Sequence, residues 1–108
     1  MSTIEIPAPI RAMIDATNRG DHDAFVACFT EDALLSDWGK EFRGREGVAS
    51  WDRTDNIGRS THFDVAAARQ EGTRDVVTLK VSGDGFNGMS DFTFELDGDL
   101  IRSMTIAP

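Results

Sequence analysis

Apolar residues recur at helical spacing near the start of the chain. Ile10, Met13 and Ile14, continued by Thr17, fall on one face, and Pro7 and Pro9 precede them as first-turn prolines do. Gly20 is a natural stop, and Asp21 a natural N-cap for a second, short helix whose buried face is Ala24, Phe25, Cys28 and Phe29. Residues 33–38 read as a strand and residues 39–44 as a polar turn. A third helix is expected from about Arg45, with Val48 and Trp51 inward, fading at Asn56, Ile57 and Gly58.

The period then changes to two. Phe63, Val65 and Ala67 alternate with polar or small neighbours, as do Val77, Leu79 and Val81, and then Phe92, Phe94 and Leu96. Residues 100–106 form the last strand. Glu71-Gly72-Thr73, Gly83-Asp84-Gly85 and Asp97-Gly98-Asp99 punctuate this meander. Helices first and strands later predict an α+β fold. Helices would pack on a strongly curved, mostly antiparallel sheet, giving a cone-shaped roll that encloses a pocket. No repeat or linker divides the chain, so residues 1–108 are read as one domain.

Composition narrows the possible partners. The chain has 108 residues, 40% of them hydrophobic and 28% charged, which fits a folded domain better than disorder. A net charge of −8 opposes general affinity for nucleic acid or anionic membrane. No apolar run reaches the roughly 18 residues of a membrane helix, and the first residues do not read as a secretion signal. A cytoplasmic setting is the expectation. Cys28 is the only cysteine, so no internal disulfide forms, and its place on an apolar stripe suggests packing.

Asp37 is the first candidate for chemistry. Alternation places it on the same strand face as Leu35. It is either a solvated acid at a strand end or a general base set against a hydrophobic pocket. Asp91 is a candidate second carboxylate, although strict alternation puts it opposite Phe92, Phe94 and Leu96 unless a bulge intervenes. His22 is expected in water among acids, whereas His62, beside Phe63, is either a structural or a catalytic histidine. These residues make no metal signature, and the glycine-rich GDGFNG turn matches no phosphate- or dinucleotide-binding motif. Trp38 and Trp51 fit a core or a pocket wall. Phe86, in that turn, fits a lid or a contact with a second copy.

The stretch IRAMIDATNRGDHDAFVACFTEDALLSDWG and the tail FTFELDGDLIRSM together resemble the nuclear transport factor 2-like superfamily, in its SnoaL-like and ketosteroid isomerase-like branch. The resemblance covers nearly the whole chain in element order. It implies a cystatin-like cone with a deep pocket and frequent dimerisation. It also implies that Asp37 occupies the position of the proton-shuttling base. The oxyanion-hole tyrosine position falls on Met13, and the chain contains no tyrosine. The second acid falls on Asp91 in a gapless count, or on Ser90 after a one-residue slip. Met13, Thr17, Phe29, Leu35, Trp38, Trp51, Phe63 and Phe86 are the expected ligand-binding residues. The functional expectation is an isomerase, cyclase or dehydratase without metal or organic cofactor. Asp37 would act as base on a small apolar carbonyl compound, assisted by Asp91 or His62. The alternative is a noncatalytic ligand-binding or dimeric assembly module.

Overall fold

The computed structural model describes residues 4–107. Helix α1 (Ala8–Asn18) follows Pro7 and buries Ile10, Met13, Ile14, Ala16 and Thr17. Helix α2 (His22–Ala27) is capped by Asp21, whose carboxylate accepts the Ala24 N–H at 3.1 Å. Strands β1 (Phe29–Asp37) and β2 (Lys40–Arg43) form a hairpin that leads into α3 (Gly44–Asp55). A 3-10 turn (Ile57–Arg59) precedes the meander of β3 (His62–Glu71), β4 (Arg74–Ser82), β5 (Gly88–Asp97) and β6 (Leu100–Ile106).

The sheet order is β2-β1-β6-β5-β4-β3. Among the described residues, β1 and β6 run parallel and the other neighbouring pairs are antiparallel. The α+β roll is therefore as expected, with an open, mixed sheet. Leu35, Phe63, Leu79, Phe92, Phe94 and Met104 share one core with Ile10, Met13, Phe25, Val48 and Trp51 from the helices. Cys28 belongs to that core. Its thiol donates to the Ala24 carbonyl at 3.2 Å, and burial pushes its pKa up.

Two elements differ from the sequence expectation. The first strand begins at Phe29 rather than near residue 33, because α2 closes at Cys28. Phe29 still packs on Phe25, with ring centroids 5.2 Å apart, so the helical spacing runs on across the boundary. The expected polar turn over residues 39–44 contains β2, a mostly charged edge strand with Phe42 as its one apolar residue. The two-residue turn that makes this hairpin is Trp38 and Gly39, with φ values of 51° and 88°. Positive φ at both positions is the type I′ requirement, which Gly meets freely and Trp does not.

Candidate active-site pocket

A cavity of about 290 Å³ opens among the end of β1, the C-terminal half of α3 and the inward faces of β4 and β5. That volume lies at the lower end of small-molecule sites, roughly 300–1,000 Å³. Asp37 reaches it as the last residue of β1. There Asp37 Oδ2 accepts the Trp51 Nε1–H at 3.0 Å, and Trp51 is held in turn by the Phe25 ring at 6.0 Å. Trp38 and Phe86 meet edge-to-face at 6.2 Å on the cavity rim, and both are half exposed or more. Phe63 and Phe92, edge-to-face at 5.4 Å, line it from β3 and β5.

Asp37, Trp38, Trp51, Phe63 and Phe86 are thus brought together as the sequence suggested. Other candidates stand elsewhere. Asp91 is not on the cavity wall: β4 and β5 pair in unbroken register from Asp75–Phe94 to Val81–Gly88, so alternation turns it to the opposite sheet face. There it accepts from Thr78 Oγ1 at 2.6 Å and lies 3.8 Å from Arg69. Ser90 is the inward residue, and its hydroxyl donates to the Ala107 carbonyl at 3.0 Å. His62 also points away, half exposed, with Nε2 3.4 Å from Asp64 on the same outward face. Met13, Phe29 and Leu35 are sealed in the core and do not line the cavity. Thr17 is buried one side chain behind the wall, where its Oγ1 accepts from Asn56.

Asn56 was not singled out from the sequence, nor were Asp55 and Thr61, which also line the cavity. Asn56 is 1% exposed. Its Nδ2 donates to Thr17 Oγ1 at 3.0 Å and to Asp52 Oδ1 at 2.9 Å, while its Oδ1 is buried without a partner among the described residues. Asp52, fully buried behind it, also receives His22 Nδ1 at 2.6 Å. His22 therefore hydrogen-bonds a buried carboxylate instead of standing alone in water. Among the described residues, no lysine, arginine or histidine lines the cavity. Among the described residues no cluster of three His, Cys, Asp or Glu side chains is arranged to hold a metal, and no helix is long and apolar enough to cross a membrane.

The open α+β roll, with its helices packed on a six-stranded mixed sheet, has the architecture of the nuclear transport factor 2-like superfamily. Residues 10–104 match the SnoaL-like domain family, and the chain belongs to it. No curated protein matches the chain. Among solved structures, a candidate polyketide cyclase from Sinorhizobium meliloti is similar with a TM-score of 0.84 and 23% identity, over 94% of each chain. A cystatin-fold protein from Novosphingobium aromaticivorans has a TM-score of 0.76 and 21% identity, over 96% of this chain and 100% of that one. A candidate ketosteroid isomerase from Kribbella flavida has a TM-score of 0.78 and 16% identity, over 93% of this chain and 74% of that one. At these identities the likeness is one of fold.

Proposed function

We propose that this SnoaL-like domain is an enzyme of the isomerase, cyclase or dehydratase kind, with Asp37 as the general base. The observation that carries this reading is the Trp51 Nε1–Asp37 Oδ2 bond at 3.0 Å on the cavity wall. It fixes the carboxylate and leaves Oδ1 for a ligand. In the proposed step Oδ1 takes a proton from the carbon beside a carbonyl. The C–H electron pair becomes a C=C bond, and the carbonyl pair moves onto oxygen. Where the substrate carries a β,γ-double bond, returning the proton at the γ-carbon re-forms the carbonyl and completes an isomerisation with no oxidant or reductant. Proton exchange into small ketones in D2O tests the base. Wild type should exchange the α-proton faster than buffer, and Asp37→Asn should lose that excess while still folding. Equal exchange by both proteins would remove Asp37 from this role.

A binding-only role is favoured by one feature. The family's oxyanion-hole positions fall on Met13, which is core, and on either Asp91, which faces the other side of the sheet, or Ser90, whose proton is given to the Ala107 carbonyl. Saturable ligand binding without any exchange or turnover would select it.

This reading also includes a cytoplasmic homodimer. Support for the dimer comes from the family resemblance. On the outer face of β4 the one apolar residue is Val76, which a single chain already buries. Sedimentation at micromolar concentration should give twice the chain mass, and cell fractionation should find the protein in the cytosol.

A further inference from the structure

We propose that the ligand of this pocket is a small organic amine in its ammonium form, an apolar body carrying charged N–H groups. The inference rests on the reading of this cavity as the ligand site, and it names the chemical class that fits the wall.

The polar groups of the wall are biased towards accepting hydrogen bonds. Asp37 and Asp55 contribute carboxylates, which when ionised only accept. Asn56 could offer either end of its amide, but Asp52 decides which. Nδ2 is held against the Asp52 carboxylate at 2.9 Å and against Thr17 Oγ1 at 3.0 Å. Turning the amide over would set oxygen against carboxylate oxygen. Oδ1 is thus the end left without a partner, in a side chain that is almost fully buried. A buried carbonyl oxygen without a donor is costly, and because Oδ1 is closed off from the cavity it acts on a ligand through its partial negative charge, which adds to that of the two carboxylates. Ser90 gives its proton to Ala107 and keeps lone pairs, while the Thr61 hydroxyl can turn either way.

Donors on the wall are few. The Trp51 N–H is already bonded to Asp37, and Trp38 is 58% exposed at the rim. An anionic ligand would meet two carboxylates and no cationic side chain. An ammonium group would meet those carboxylates and several aromatic rings able to face a cation, with the Asn56 oxygen behind the wall. The chain's charge of −8 also draws cations towards it. For proton abstraction by Asp37, an ammonium on the substrate supplies positive charge near the developing oxyanion, which the wall itself does not.

Three probes of similar size separate the possibilities: N-methylbenzylamine, which is protonated at neutral pH, its neutral counterpart benzyl methyl ether, and phenylacetate. Titration of the full chain, followed calorimetrically and by indole fluorescence, should show the ammonium binding at least about tenfold more tightly than the ether. Phenylacetate should bind more weakly still. Asp55→Asn, at an exposed position that tolerates substitution, should weaken the ammonium about threefold and leave the ether unchanged. Asn56→Leu, checked for folding by circular dichroism, should weaken the ammonium selectively. Ether or phenylacetate binding as tightly as the ammonium overturns the amine assignment and leaves the pocket reading standing. Failure of all three probes to bind overturns both.

Discussion

Trp51 and Asp37 join α3 to the end of β1 by a single bond, Nε1–H to Oδ2 at 3.0 Å, at the point where the cavity wall begins. The indole is buried and stacked on Phe25, so its position is set by the core. The carboxylate is thereby oriented by packing as well as by its own strand. Trp51→Phe keeps an aromatic ring in the core and deletes the donor. It should cost about 1–3 kcal/mol by urea denaturation, the range for leaving a hydrogen-bonding group unpaired. Any Asp37-dependent proton exchange should fall more steeply than ligand affinity, because the variant loosens the base and leaves most of the wall in place. Unchanged exchange in a folded Trp51→Phe protein would show that the indole does not position Asp37.

Trp38 stands at φ 51° in a two-residue turn with Gly39, a place where Asn is favoured and a bulky residue is strained. It is also one of the large apolar side chains left exposed, against Phe86 at the cavity rim. Strain kept at a pocket mouth points to use there. Trp38→Asn should therefore stabilise the hairpin by about 0.5–1 kcal/mol and weaken ligand binding at the same time. Thermal denaturation and fluorescence titration of one protein preparation read the two effects. A variant that loses stability while binding ligand normally would contradict this assignment.

Much of the fold was legible because its signals are local. The α1 face from Ile10 to Thr17, the Asp21 cap and the alternation of Phe92, Phe94 and Leu96 each lie within a few residues. The parallel pairing of β1 with β6 joins residues about seventy positions apart, and no local pattern announces it. The pocket was legible in part. Alternation already set Asp91 opposite Phe92, and that local rule was right. The gapless count back from Ser103 and Met104 pointed to Asp91, but β6 carries an extra residue between Ile101 and Ser103, and such a bulge is invisible to counting. Asn56 looked like a helix terminus. Its role depends on Thr17, thirty-nine residues away, and on Asp52, whose burial follows from tertiary packing.

The Asp21 cap gives a pH prediction. Its pKa is lowered chiefly by the hydrogen bond from the Ala24 backbone, with a smaller contribution from Arg19. An acid with a lowered folded pKa contributes stability above its unfolded value of about 3.9 and loses it as pH falls through the folded value. Asp21→Asn still caps the helix and does not titrate. Wild type should therefore lose stability relative to Asp21→Asn as pH drops below about 4. Parallel denaturation curves for the two proteins from neutral to acid pH would contradict a cap that depends on the ionised carboxylate.

The buried carboxylate of Asp52 makes the most exposed prediction, because it touches no part of the cavity yet orients a residue that does. Its oxygens receive His22 Nδ1 at 2.6 Å, Asn56 Nδ2 at 2.9 Å and the Ile57 N–H at 3.4 Å. Arg53 approaches His22 Nε2 at 3.3 Å, so that nitrogen is the acceptor and Nδ1 carries the proton given to Asp52. Removing the carboxylate leaves the Asn56 amide short of an acceptor and frees it to rotate. Asp52→Ala should cost about 2–4 kcal/mol in urea denaturation, within the range for breaking a buried polar network. Asp52→Asn is the sharper test. Its amide matches the carboxylate in shape but cannot accept from both His22 and Asn56, so it should cost less than the alanine variant. It should still weaken ammonium binding in the pocket, because Asn56 Oδ1 is no longer held in place. The ether's affinity should not move. Stability lost without any change in the ammonium-to-ether ratio would make Asp52 a purely structural residue, and would leave the unpaired oxygen of Asn56 without the function assigned to it.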